Sequence, residues 1–349
     1  MQALGIERAL LVCDDRMASS FPLKVTAHFC AFHPNPDLAD CLAGAELYRR
    51  MGCDGLISMG GGSSMDTAKG IKTMLCTEGM DQARRSLLAQ GGRVKHIAIP
   101  TTAGTGSEAT AVAVTYENGQ KLSLNHPSLL PDAAVLDSSL LDSLPPYHKK
   151  ACALDALCQG VESYWAARAT DESREHALRA VRGVLGNISA YLAGDAAAAD
   201  AMQLAAWESG RAIRMTATTA AHAMSYQITK RLGVAHGQAC AFTLPILWER
   251  LEKEENSAVL ALAGELGLAG GEGPALVRGL MAATGMLPEG PVEDALLDYL
   301  ADTVNVERLS NHPQRLDRDE LRAVYAQAFA PMGEEALAAC TEVWHRYEG

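Results

Sequence analysis

The sequence predicts a parallel-sheet α/β domain followed by an all-helical domain. Three observations carry this reading. Short apolar runs alternate with helical patterns through the first 145 residues, Leu144-Pro145-Pro146 breaks the pattern, and Ala- and Leu-rich helical periodicity dominates afterwards. The expected boundaries are 1–146 and 147–349.

Each element follows in order. ALLVCDD (9–15) reads as a short strand ending at a pair of acids, and DGLISMGGG (54–62) as a strand ending in glycines. VKHIAIPTT (94–102) is a third strand, and AAVLDSSLL (133–141) closes the series. Such continuous apolar runs suit strands covered by helices on both faces. Beyond Tyr147 no run reads as a strand, and LGLAGGEGP (266–274) reads as a loop between helices.

Composition narrows the function. The 349 residues are 48% hydrophobic and 21% charged, with a net charge of −12, enough for a sizeable core and unfavourable for nucleic acid or an anionic membrane. Nine cysteines without a CxxC pair suggest reduced thiols in a cytoplasm. The N-terminal MQALGIERALLV does not read as a signal peptide, because Glu7 and Arg8 interrupt it.

Several segments can carry chemistry. SMGGGSSMDTAKG (58–70) follows a strand and opens a helix, so its glycines let backbone approach an anion at a helix N-terminus, which suits a pyrophosphate. Asp14 ends the first strand, where an acid can hold adenosine ribose hydroxyls and disfavour a 2′-phosphate. PTTAGTGSE (100–108) supplies hydroxyls and glycines past another strand end. In ALDALCQGVESYW, Asp155 and Gln159 lie one helical turn apart. Asp155, His222 and His236 offer a carboxylate and two imidazoles, a reasonable donor set for Zn²⁺ or Fe²⁺, although two histidines fourteen residues apart also fit a structural role. His126, His148 and His176 read as surface or packing residues, and Tyr164 and Trp165 as core.

Taken together, GGGSSMDTAKG, PTTAGTGSE, LDSSLLDSLPP, ALDAL…ESYW and HAMSY…GVAHGQACAFTLP resemble the iron-containing (group III) alcohol dehydrogenase family in order and rough spacing. The resemblance implies a dinucleotide domain, a helical domain, a cleft between them, and NAD(P)-linked interconversion of alcohols and aldehydes at one divalent metal, commonly in a dimer. It assigns Asp14 to the ribose, Asn35 of HPNPD to the adenosine turn, and Gly60, Gly61, Gly62, Ser63 and Asp66 to the pyrophosphate loop. Thr101, Thr102 and Thr105 become the threonine loop, Lys121 the lysine near the nicotinamide ribose, and Asp155, His222 and His236 three of four metal ligands.

Three departures stand out. Gln159 occupies the place of the usual fourth ligand, a histidine, which implies a weaker hold on the ion or none, as in maleylacetate reductases. Tyr226 replaces a histidine linked to proton relay, and the chain opens without most of the strand and helix that usually come first. TTAAHAMSY, QGVESYW and SNHPQRL (310–316) resemble, more loosely, a branch containing phosphonoacetaldehyde reductases. A phosphonate needs a cation, for which Arg214 is the candidate, with Lys149, Lys150 and Lys230 behind it.

The reading is therefore a cytoplasmic, homodimeric, NAD(H)-dependent aldehyde reductase that uses Fe²⁺ or Zn²⁺, with Tyr226 and Gln159 beside the reacting atoms. The alternatives are a sulfoacetaldehyde or simple short-chain aldehyde reductase, a metal-free maleylacetate-type reductase, and a degenerate dinucleotide-binding protein; dehydroquinate synthase-like lyase chemistry needs more basic phosphate-binding residues than the sequence offers. Which aldehyde, which metal and which direction stay open at this level.

Overall fold

A computed structural model describes residues 1–75, 94–117, 120–305 and 309–348. The chain divides into two compact units, Met1–Leu144 and Pro145–Gly349. Among the described residues no helix is long and apolar enough to cross a membrane.

The first unit holds a parallel sheet in the order β2-β1-β3-β4-β7, with β1 Ala9–Val12, β2 Ala27–Phe29, β3 Gly55–Gly60, β4 Lys95–Pro100 and β7 Ala133–Ala134. Alternation along β1 explains why it is buried on both faces. Leu10 and Val12 pack with Leu56, Cys41, Ala45 and Ile71. Leu11 and Cys13 pack with Ile57, Met59 and Ile97. Helices α1 (Asp15–Ser20), α2 (Leu38–Arg50) and α3 (Gly62–Leu75) connect and cover these strands.

Strand order reverses beside β1. The chain leaves β1 for β2 on one side, then continues through β3 and β4 on the other. At such a reversal, loops leaving the carboxyl ends of adjacent strands part and open a crevice. The loops leaving β1 and β3 carry Asp14 and Gly60–Gly62.

The structure departs from the sequence reading at four places. β2 and the antiparallel hairpin of β5 (Val112–Glu117) and β6 (Gln120–Asn125) were not expected. The hairpin mixes apolar and polar residues instead of forming an apolar run, so it lacks the signal of a strand buried on both faces. Segment 133–141 is strand only at its first two residues; Asp137 then accepts from the Ser139 N–H at 3.1 Å and starts a 3₁₀ turn over Ser138–Leu141. The loop expected over 266–274 ends early, because a helix begins at Glu272. One of the nine cysteines, Cys76, lies outside the described residues; the eight within them are free thiols.

Among its described residues the second unit has helices joined by loops and no strand. Its helices are α4 (Pro146–Trp165), α5 (Asp171–Leu185), α6 (Ile188–Leu192), α7 (Ala196–Thr216), α8 (Ala220–Leu232), α9 (His236–Lys253), α10 (Ser257–Glu265), α11 (Glu272–Ala283), α12 (Asp294–Asp302), α13 (Arg318–Ala328) and α14 (Glu334–Glu348). Helix α4 is central, buried almost continuously from Ala151 to Trp165. Tyr164 and Trp165 are core, with Trp165 edge-on to Trp248 at 5.7 Å.

Helix α9 can approach α4 because its second residue is glycine. A Cβ on Gly237 would lie 2.0 Å from the Ala151 carbonyl oxygen and 2.6 Å from the Asp155 Cβ. No side chain fits there, so the start of α9 lies directly against the turn of α4 that carries Asp155.

Candidate functional site

Three helices of the second unit bring Asp155, His222, His236 and Cys240 together, with one donor atom of each lying within 4.8 Å of all the others. Asp155, His222 and Cys240 are buried and His236 is partly exposed. The His222 Nε2 and the Asp155 Oδ1 are 3.3 Å apart. Two donors bound tetrahedrally at zinc distances are separated by about 3.3 Å, so this edge is already of the right length.

The ring orientations also fit an ion. Glu162, two turns beyond Asp155 on α4, binds the Nδ1 of His222 through its Oε2. A carboxylate there keeps a proton on Nδ1, so Nε2, which faces Asp155, is the nitrogen that would give up its proton to bind an ion. For His236, the Ser225 hydroxyl donates to the His222 carbonyl at 2.9 Å, so its oxygen is left to accept from the His236 Nδ1 at 3.2 Å. That leaves Nε2 of His236 facing Cys240, 3.8 Å from its Sγ.

Glu162 does a second job through its other oxygen. Its Oε1 accepts from the backbone N–H of Thr219 at 3.1 Å and of Ala221 at 2.8 Å, and from the Thr219 hydroxyl at 2.7 Å. These are free N–H groups at the start of α8, so one buried carboxylate both caps that helix and orients its histidine. The preceding turn is held by Asn311, whose Nδ2 donates to the carbonyls of Thr216 at 2.7 Å and Thr218 at 3.1 Å. Between them Ala217 takes φ 62°, a conformation costly for a residue with a Cβ.

The electrostatics of the cluster call for positive charge. Burial raises the Asp155 carboxyl, but the hydrogen bond from His222 and the charge of His236 outweigh it and hold it below the usual value. Burial would depress His222, yet Cys240, Glu162 and Asp155 lift it well above the ordinary imidazole range. Burial likewise raises the Cys240 thiol, and the two histidines more than reverse this, bringing it to about 7. Acids are favoured as anions here and imidazoles as cations. A divalent ion would supply that positive charge and release protons. The residues present fit a metal.

Gln159 lies on the same face of α4. Its Oε1 accepts from the Ser209 hydroxyl at 2.8 Å, and its side chain is hydrogen-bonded to Asp155. The Tyr226 ring stacks on His236, with centroids 5.7 Å apart and planes 18° apart. Arg214 is exposed in the last turn of α7, and Lys230 is exposed on α8. Lys149 lies over the Tyr191 ring at 5.0 Å, and Lys150 is half-buried on α4.

In the first unit the two candidate loops meet. Gly60 has φ 148°, and a Cβ there would lie 2.3 Å from the Ser64 Oγ. A Cβ on Gly61 would meet Thr102 at 3.3 Å, and one on Gly62 would meet Thr105 at 3.2 Å. Thr101 donates its N–H to the Gly60 carbonyl at 3.0 Å. Asn35, at φ 59°, donates its N–H to the Ser63 Oγ at 3.2 Å, which ties the HPNPD turn to the start of α3. Asp14 caps α1, one oxygen accepting from the Met17 N–H at 2.9 Å.

Asp66 faces inward. It accepts from the Ser107 hydroxyl at 3.2 Å and the Val114 N–H at 3.1 Å, which joins α3 to the loop after β4 and to β5. Lys121, on β6 opposite Tyr116, contributes positive charge near Asp66. The sequence reading missed the buried Lys69, whose ammonium donates to Ser107, Thr110 and the Val112 carbonyl. It also missed Cys240 and Glu162.

Comparisons with known proteins identify the family. The profile for iron-containing alcohol dehydrogenase matches residues 1–138, and that for the C-terminal part of the Fe-containing alcohol dehydrogenase family matches 150–329. The phosphonoacetaldehyde reductase of Streptomyces viridochromogenes is 35% identical over 315 residues, 83% of this chain and 80% of that one. Among solved structures, 1,3-propanediol oxidoreductase superposes with a TM-score of 0.81 at 26% identity, covering 94% of each chain. Sulfoacetaldehyde reductase from Bifidobacterium kashiwanohense, solved with NAD⁺, superposes with a TM-score of 0.79 at 25% identity, covering 95% of this chain and 93% of that one.

Proposed function

The chain belongs to the iron-containing alcohol dehydrogenase family and is an oxidoreductase; from that premise we propose that it reduces phosphonoacetaldehyde to 2-hydroxyethylphosphonate with NADH. The observation that carries the reading is the convergence of Asp155, His222 and His236 into one oriented donor cluster in a chain that also has a glycine loop opening α3. The 35% identity to a phosphonoacetaldehyde reductase supports the choice of substrate.

When bound, NADH supplies the hydride to the carbonyl carbon, and a divalent ion at Asp155, His222 and His236 supplies Lewis-acid polarisation of the carbonyl oxygen. The chain's own residues do the rest. Glu162 and the Ser225 hydroxyl fix both imidazoles with Nε2 inward. Tyr226, stacked on His236, is the candidate to pass a proton to the product oxygen. Asp14, past the end of β1, would repel a 2′-phosphate and favour NADH. Gly60, Gly61 and Gly62 with Ser63 would cradle the pyrophosphate beside Thr101, Thr102 and Thr105, while Asn35 would border the adenosine. Asp66 would brace that loop from behind, and Lys121 would serve the nicotinamide ribose. Arg214 is the candidate cation for the phosphonate. The scattered free thiols support a cytoplasmic setting, and a homodimer is the expected assembly.

The test is NADH oxidation by the purified enzyme with phosphonoacetaldehyde, sulfoacetaldehyde, maleylacetate and propanal. The highest kcat/KM is expected for phosphonoacetaldehyde, and Arg214→Ala should raise its KM far more than that for propanal. Equal efficiency with propanal would remove the anion from the proposal. A preference for sulfoacetaldehyde would favour the second reading, which the 25% identity to a sulfoacetaldehyde reductase supports.

A further inference from the structure

We infer that Cys240 supplies the fourth protein donor to the ion at Asp155, His222 and His236, in place of Gln159. The inference rests on the reading of this cluster as a metal site. Cys240 lies one turn beyond His236 on α9, so its Sγ and the His236 Nε2 share a helical face. They are 3.8 Å apart. A thiolate sulfur and an imidazole nitrogen bound tetrahedrally to one zinc ion are separated by about 3.6 Å.

The thiol is fully buried, and its sulfur lies within 4.8 Å of a donor atom from each of the other three residues. Gln159 is committed otherwise. Its amide oxygen accepts from Ser209, and its side chain is hydrogen-bonded to Asp155. That makes Gln159 a positioning residue for the Asp155 carboxylate.

The exchange has chemical consequences. A thiolate and a carboxylate together neutralise a divalent ion, and sulfur among the donors favours Zn²⁺ over Fe²⁺. The ion is then held more firmly than a neutral Gln159 oxygen would hold it. The carbonyl oxygen would then have to join as a fifth donor, and it would be polarised by a site of lower net charge.

Cobalt substitution tests this without relying on turnover. The full-length protein is stripped of metal, loaded with Co²⁺, and followed by elemental analysis and absorption spectroscopy. Wild type and Gln159→Ala should each bind one cobalt and show an intense thiolate-to-cobalt charge-transfer band in the near ultraviolet. Cys240→Ser and Cys240→Ala should bind cobalt with that band lost and the weaker visible bands retained. Cobalt bound by wild type without the band, or a band that survives in Cys240→Ser, would overturn the role of Cys240 and leave the metal site standing. A folded wild-type protein that binds no cobalt would overturn both.

Discussion

Glu162 and His222 are sixty positions apart in sequence, yet the glutamate carboxylate binds the histidine's Nδ1 and closes the N-terminus of the helix that carries it. Folding of that helix and orientation of its imidazole are thus one event. Glu162→Gln keeps the shape but replaces a charged acceptor with a neutral amide. Metal retention should fall about 10- to 100-fold, measured by competition with a chelator. Glu162→Ala should also cost about 3–5 kcal/mol of stability, because it removes one partner of a buried pair. Unchanged metal retention in Glu162→Gln would mean the carboxylate serves only the helix end.

Gly237→Ala should separate α9 from α4. The new methyl would lie 2.0 Å from a backbone oxygen, which cannot move without moving the helix. A loss of about 1–3 kcal/mol is expected from overpacking, read by denaturant unfolding, together with weaker metal binding because Asp155 and His236 flank the contact. Wild-type stability and wild-type metal content together would show that the helices can slide apart freely.

Asn311→Ala removes the donor that gathers the carbonyls of the turn before α8. The cost should be about 1–3 kcal/mol for leaving buried acceptors unmet. The strained Ala217 would lose its clamp, so the chelator sensitivity of the protein should rise as well. If Asn311→Ala raised only the KM for aldehyde and left stability intact, Asn311 would be a substrate contact and not a scaffold.

The glycine loop can be tested by nucleotide binding alone. Gly60→Ala forces a side chain onto φ 148° and against Ser64, and Gly61→Val adds bulk against Thr102. Both should abolish the fluorescence enhancement of bound NADH while leaving metal content unchanged. Asp14→Gly should narrow the preference for NADH over NADPH. Better kcat/KM with NADPH in the unmutated protein would refute the role of Asp14.

Chelation should abolish aldehyde reduction, and Zn²⁺ should restore it. Full activity in protein shown by elemental analysis to be metal-free would assign the cluster to hydrogen bonding alone.

Much of this was legible in the sequence for a physical reason. β1, β3 and β4 are covered on both faces, so they read as apolar runs. The hairpin of β5 and β6 is half exposed and β2 is three residues long, so neither leaves such a signal. In the cluster, Asp155 and the two histidines stood out as metal-type residues in apolar surroundings. Glu162 and Cys240 did not, although helical spacing pointed to both. Positions 155, 159 and 162 share one face of α4, and 236 and 240 one face of α9. Asn311 was noticed only within SNHPQRL as part of a resemblance, and its role was not readable, because it satisfies carbonyls almost a hundred residues away.

All four donors lie in the Pro145–Gly349 unit, on α4, α8 and α9. An ion there would pin three helices together as a crosslink that exists only in the folded chain. Unfolding of this unit would then become a titration of free metal: at a free concentration a hundredfold above Kd, the ion adds about 2.7 kcal/mol to stability. A cell starved of the metal would lose more than activity. Its apo chains would open more often and be cleared by proteases, so the amount of protein in the cell would track the metal supply.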